Sequence, residues 1–265
     1  MTDTEIKAPA DSRAPGRGGS RTLRIIHGLG WTLIYLGVLT LGFVVHELVI
    51  TTWFAQRAQP ELSAQRLAQW QQTEISDVVV VPSTEPGTTV GPTTATVPEQ
   101  QPTEEGGSSQ PLILKVESEP PLGTPFALIR IPKLERLRDG WNVVEGVRVS
   151  DLRNGAGHMP GTAMPGQPGN SVISGHRTTY GQPFHELDQL VPGDRIEVDT
   201  ALGTHVYEVR ETMVVAPTDL WVTEPRPGAW LTLTTCHPMY SARQRYVVMA
   251  ELIAGPNYDV IEAMR

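Results

Sequence analysis

Residues 29–45 read LGWTLIYLGVLTLGFVV without a charged side chain, and LVITTWF comes after His46 and Glu47. Few structures accommodate such a run. A helix of about 20 apolar residues crosses a bilayer core, and 29–54 is long enough. Trp31, Tyr35 and Trp53 stand near the two ends, where amphipathic rings favour the membrane interface. His46 and Glu47 then fall at the outer boundary, where their cost is moderate. The rival reading is a cleaved signal peptide. Against it, the apolar core exceeds the ~7–15 residues of such a signal and no small-x-small cleavage site follows closely. An uncleaved anchor over 25–54 is expected. Arg13, Arg17, Arg21 and Arg24 precede it, and only Arg57 and Arg66 follow nearby. Positive residues stay on the cytoplasmic side. The expectation is a single-pass type II protein of the cell membrane, with 1–24 cytoplasmic and the remainder extracytoplasmic.

Residues 55–72 are rich in helix formers, with Leu62, Leu67 and Trp70 able to share a face and Pro60 suited to a first turn. A juxtamembrane helix is expected there. From 73 to 111 the chain turns to Pro, Thr, Glu, Gly, Ser and Gln, broken by the valines of 78–81. This stretch lacks the apolar mass to fold and reads as a disordered linker. As a random coil it would span roughly 35 Å r.m.s. and set the reach of the domain beyond it. With 23 Pro, 25 Gly and 6% aromatics, the composition fits a compact part joined to an unstructured one. The net charge is −8 and no basic stripe is interleaved with aromatics, which argues against nucleic acid as a partner.

Ordered patterning occupies 112–265. FALIRIP (126–132), NVVEGV (142–147), NSVISGH (170–176), RIEVDT (195–200), THVYEVRETMVV (204–215), WLTLTTC (230–236) and RYVVMAELI (245–253) are β-branched or alternating. Pro-Gly-Asp at 192–194, Leu-Gly-Thr at 202–204 and Pro-Arg-Pro-Gly at 225–228 are turn signals between them. One short helical candidate lies at 183–190. Many short strands at this spacing predict an all-β barrel or sandwich, the barrel being favoured.

The chain has one cysteine. That excludes an internal disulfide and a four-cysteine zinc site. In WLTLTTCHP, a strand places Leu231 and Leu233 on one face and Thr232, Thr234 and Cys236 on the other. Cys236 ends the strand on its polar side, because Pro238 cannot continue a central ladder. That is a poor place for a core filler and a good one for a nucleophile. A thiol attacks as the thiolate, which a nearby cation favours. Of the seven histidines, His27 and His46 belong to the membrane segment, His237 faces away from its neighbour on an extended chain, and His205, in a hairpin strand, reads as an ordinary surface residue. His176, after Gly175 at a strand end, is preferred over His158 in GHMPGTAMPG, since polar loops carry catalytic groups. A third group must stabilise the attacked carbonyl. Arg243 and Arg245 follow a short loop after Cys236; parity alone does not separate them, and closeness to the strand favours Arg245. No HExxH spacing or acidic cluster suggests a metal, and no cofactor is expected.

TLTTCHPMYSARQRYVV resembles the TLxTC signature of the sortases, cysteine transpeptidases, in the style of class E, and GTAMPGQPGNSVISGHRTTYGQPF resembles their histidine segment. Class D is the second kinship. The resemblance covers about 125–253. It implies an eight-stranded sortase-type β-barrel, preceded here by one transmembrane helix and a flexible linker. It implies Cys236 as nucleophile, His176 as its proton partner and Arg245, rather than Arg243, as the positive group. It also implies substrate contacts by Thr235, Met159 and Thr178. The expected reaction cleaves a C-terminal LAxTG- or LPxTG-like sorting signal at Thr–Gly, through a thioester. The secreted protein is then transferred to a peptidoglycan-precursor amine. Met159 stands where class E members often carry Tyr, the residue associated with LAxTG signals, and so leaves the second signal residue open. The alternatives are a pilin-polymerising sortase using a lysine amine, a hydrolytic cysteine peptidase, and an inactive sortase-like binding module.

Overall fold

The computed structural model describes residues 19–80 and 111–265. Arg13, Arg17, most of the expected cytoplasmic segment and residues 81–110 of the expected linker lie outside them. The chain divides into two units, 1–47 and 48–265.

In the first unit, α1 (Gly19–Val45) exposes its apolar side chains all round, Ile25 and Leu39 both at 70%. A helix apolar on every side is made for a surrounding of the same kind. Among the described residues there is one helical run long and apolar enough to cross a membrane, near the N-terminus.

The second unit begins with a helix. A π-helical turn, His46–Ile50, precedes α2 (Thr51–Gln72). The helix starts earlier than the sequence suggests, so Pro60 sits inside it rather than in its first turn. An interior proline costs a helix about 3 kcal/mol. The offset comes from packing on the barrel. Ala55 and Leu62 are buried, Arg66 donates to Asn142 Oδ1 (2.7 Å), and Gln59 Oε1 accepts from the backbone and side chain of Asn142 (3.1 and 3.0 Å). Propensity alone does not predict this; tertiary contacts decide it.

After α2, β1 (Ile75–Val80) pairs antiparallel with β2 (Leu112–Glu117), Val80 opposite Leu112. Residues 75–80 are thus a strand, although they sit in the compositional stretch read as linker. The pairing also removes the expected reach. A segment that leaves from Val80 and returns at Leu112 comes back to its starting point. It does not set the distance between the parts of the chain on its two sides, and α2 already packs on the barrel.

The barrel is built from β3 (Pro125–Arg130), β4 (Trp141–Glu145), β5 (Ala156–His158), β6 (Gly169–Ser174), β7 (Arg195–Thr200), β8 (Gly203–Val215), β9 (Ala229–His237) and β10 (Gln244–Ala254). Around the closed sheet the order is β10-β8-β7-β3-β4-β5-β6-β9, with β9 back on β10. β4–β5 and β6–β9 are parallel, the other pairs antiparallel. Short helices α3 (Val149–Leu152) and α4 (Tyr258–Ala263) complete the unit, and the helical candidate at 183–190 reduces to one 3₁₀ turn, Leu187–Gln189.

Alternation fixes the inside. Ile129, Val143, Ile173, Ile196, Val198, Leu231, Leu233 and Val248 are fully buried in one cluster within the barrel. Fully burying each such side chain stabilises the fold by about 1.5–3 kcal/mol. The opposite parity on β6, β9 and β10 faces outward. At one end of that outer face the turn Leu220–Thr223 covers a second small cluster of Val215, Val222, Val247 and Met249. Arg245 lies on the same face, opposite Val215 on β8 and opposite Cys236 on β9.

Candidate active site

Cys236 lies on β9 directly opposite Arg245 on β10. Leu233 opposes Val248 and Leu231 opposes Ala250 on the inner face, so the Cys236–Arg245 pair belongs to the outer face. Directly opposed residues have Cβ atoms about 4.5–5.5 Å apart. β10 starts at Gln244; Arg243 precedes it, is exposed, and has no strand partner. This register, which parity alone does not supply, separates the two arginines. Arg245 donates to the carbonyls of Ala242 (3.0 Å) and Gln244 (3.1 Å). It forms no ion pair among the described residues, so its charge is not spent on a carboxylate.

On the other flank, β6 runs parallel to β9 with Ser174 level with Thr234. The pairing continues one residue further, where Gly175 N donates to Thr234 O (3.1 Å). His176 thereby comes level with Cys236. A glycine is needed at 175, since a Cβ there would lie 2.6 Å from the buried Phe184 ring. β9 and β10 thus carry Cys236 and Arg245 side by side, and the register of β6 brings His176, two residues past its end, level with Cys236. Cys236 and His176 are each part-exposed.

The imidazole is held loosely. Thr179 Oγ1 is 3.4 Å from Nδ1, and the Tyr180 ring stands 5.0 Å away, tilted by 43°. Nε2 is buried with no hydrogen-bond partner. Burial pushes the His176 pKa below the ordinary 6.5 by penalising the charged ring. The loop is bent sharply, with Tyr180, Gly181 and Gln182 all at positive φ. Non-glycine residues held there mark backbone that the surroundings over-determine.

The expected substrate contacts separate. Met159 is half-buried on the outer face, its N–H donating to Val172 O (2.8 Å). Thr178 is half-buried in the His176 loop. Thr235 is not placed to meet a ligand. It is 3% exposed, opposite in parity to Cys236, and its hydroxyl donates to Gly175 O (2.8 Å). It ties β9 to the strand end that carries His176. Arg177 was not singled out in the sequence. It is 4% exposed and donates to Cys236 O (3.4 Å) and His237 Nδ1 (2.9 Å). Among the described residues no group of three or more His, Cys, Asp and Glu side chains is gathered as for a metal ion.

A cysteine at a strand end, flanked by a histidine and an unpaired arginine, can carry out acyl transfer: a nucleophile, a proton carrier and an oxyanion stabiliser. Comparison with known proteins gives the following likenesses. A family profile described as the sortase domain matches residues 129–253. Sortase SrtE1 of Streptomyces coelicolor is 34% identical over 145 residues, 49% of this chain and 41% of that protein. Sortase SrtE2 of the same organism is 26% identical, with 97% of this chain and 94% of that protein covered. The structure of sortase E from Streptomyces avermitilis is 34% identical, covers 55% of this chain and 99% of its own, and superposes with a TM-score of 0.47. Residues 129–253 thus match the sortase domain, and sortases E are among the relatives of this chain. It spans less than half the length of SrtE1.

Proposed function

We propose that this chain is a membrane-anchored, extracytoplasmic transpeptidase that cleaves LAxTG- or LPxTG-like sorting signals and passes the cleaved protein to an amine of a peptidoglycan precursor. The supporting observation is the row itself: Cys236 opposite Arg245 on β10, with His176 level with it two residues past the end of β6. The apolar run of α1, with four arginines before it and few after, supplies the anchor with its N-terminus in the cytoplasm.

The Cys236 thiolate attacks the Thr–Gly carbonyl carbon. The carbonyl π electrons move to oxygen, where the Arg245 guanidinium stabilises the charge without giving up a proton. Collapse breaks the C–N bond, and protonated His176 gives its proton to the leaving glycine amine. A C–S thioester remains. The incoming amine attacks it, neutral His176 takes the proton, and the C–S bond breaks to release the thiolate. A buried imidazole with lowered pKa is mostly neutral at neutral pH, so the imidazolium needed for the first step is a minority form and turnover is slow.

The test is mass spectrometry of full-length protein in detergent, incubated with LAxTG and LPxTG peptides, with and without a peptidoglycan stem-peptide amine. We expect a thioester adduct on Cys236, an amine-linked product when the amine is present, and neither in C236A. R245A should keep its fold and lose about 100-fold in acylation rate, the scale of one lost oxyanion donor. Acyl transfer by C236A overturns the reading. Free acid as the sole product despite the amine makes the protein a peptidase, and preference for a lysine-bearing pilin peptide makes it a polymerising enzyme.

A further inference from the structure

Behind the row of reacting groups, Arg177 is a buried charge without a role in the chemistry above. Its side chain is 3% exposed. Burying a guanidinium costs several kcal/mol unless its donors and charge are met, so each of its contacts is informative. One terminal nitrogen donates to the backbone carbonyl of Cys236 (3.4 Å) and to Nδ1 of His237 (2.9 Å). The other meets Asp188 Oδ2 at 2.5 Å, and Nε donates to His185 O (3.5 Å). The backbone carbonyl of Arg177 in turn accepts from His185 Nδ1 (2.9 Å).

These contacts join two pieces of chain that sequence does not join: the loop 176–188, which begins with His176, and the end of β9, which carries Cys236. Four acceptors lie in different directions, and a rigid planar fork suits them where a single ammonium does not. Arg177 stands in the bend after β6, buried where its neighbour His176 is part-exposed, so it acts from behind the site. Its one anionic partner, Asp188, is 43% exposed and screened by solvent, so the link to Cys236 and His237 does not duplicate an ordinary surface ion pair.

We propose that Arg177 is a positioning residue for the acyl-transfer reaction: by clamping the Cys236 carbonyl and the His176 loop together, it fixes the distance between thiol and imidazole. This rests on the reading that Cys236 and His176 are the reacting pair. A clamp of this kind acts on the chemical step and not on peptide binding. Misplacement of reacting groups by about 1 Å can cost about 100-fold in rate.

The experiment uses full-length protein in detergent and measures kcat and KM for LAxTG or LPxTG peptide transfer, together with thermal unfolding, for R177K, R177Q, D188N and C236A. For R177K and R177Q we expect kcat lowered by about 100-fold and KM within about twofold of the parent. The lysine should not rescue, because the fork and not the charge is required. D188N, which releases only the exposed end of the clamp, should fold normally and lose about threefold to tenfold in kcat. Parent-like kcat in folded R177K or R177Q overturns the proposal. If neither arginine variant folds, D188N decides, and parent-like kcat there overturns it. Activity in C236A instead removes the underlying reading, which keeps the two failures distinguishable.

Discussion

His158 and His176 sit at or just past the ends of adjacent strands, β5 and β6, yet the protein treats them in opposite ways. His158 is fully buried, with Nδ1 2.7 Å from Glu145 Oε2. Its Nε2 meets Ala163 O (3.0 Å) and Thr162 Oγ1 (3.1 Å). The Thr162 hydroxyl already gives its proton to Met159 O (2.7 Å), so both partners of Nε2 are acceptors and that nitrogen must carry a hydrogen. Every polar atom of the ring is committed. His176 is half-buried, has one long contact at Nδ1, and leaves Nε2 unpartnered. Buried polar atoms are nearly always hydrogen-bonded, and each exception calls for a reason. In His158 the ring holds the fold together; in His176 one ring nitrogen is left unspent. The difference lies not in residue type or in placement near a strand end but in what the ring's nitrogens are already bound to.

The sharpest way to break this contrast is to remove each ring in turn. H176Q should lower the acyl-transfer rate by about 1,000-fold, the middle of the range for a general acid–base group, with thermal unfolding close to that of the parent. Steady-state kinetics and calorimetry on the same preparation check both halves. A folded H176Q that retains parent-like turnover would dissolve the distinction.

H158L is the mirror case. It leaves Glu145, whose Oε1 already lacks a partner, without its counter-group in the barrel interior. Removing one member of a buried pair costs about 3 kcal/mol. The variant should therefore lose stability by that amount in denaturant titration, while kcat per folded molecule stays near the parent value.

The contrast also marks how much was legible beforehand. The barrel strands carry their own pattern: RIEVDT is β7 to the residue, and WLTLTTC falls within β9, because alternation against a single core face leaves one register. The positions of Cys236 near the end of β9 and of His176 just past β6 were legible from the strand pattern. β5 was not, since it is only Ala156–His158 between glycine-rich turns and its pairing with β4 is non-local. β1 hid in a Pro- and Thr-rich stretch because its partner strand lies about 30 residues further on. Arg177 left no trace because two of its partners are the backbone carbonyls of Cys236 and His185, and a carbonyl is present at every position. Thr235 misled for a related reason. It belongs to the signature that carries Cys236, but parity turns its hydroxyl inward, to Gly175.

The smallest expected effect tests why His176 differs electrostatically. The Tyr180 ring lies 5.0 Å from the imidazole, and burial is the cause of its lowered pKa. Below pH 6.5 an unfolded histidine takes up a proton that the folded one resists. The stability that His176 contributes is therefore complete above pH 6.5 and is lost as pH falls through its folded pKa. Y180A lets water reach the ring. The penalty on the imidazolium shrinks, and the pKa rises toward 6.5. The acid limb of the kcat/KM profile should then move to higher pH by less than about one unit, and the loss of stability on acidification should become shallower. Both follow from one cause and should change together. If the acid limb stays in place while stability loses its pH dependence, the titrating group in the kinetics is not His176, and the unpartnered nitrogen at 176 needs another explanation than proton transfer.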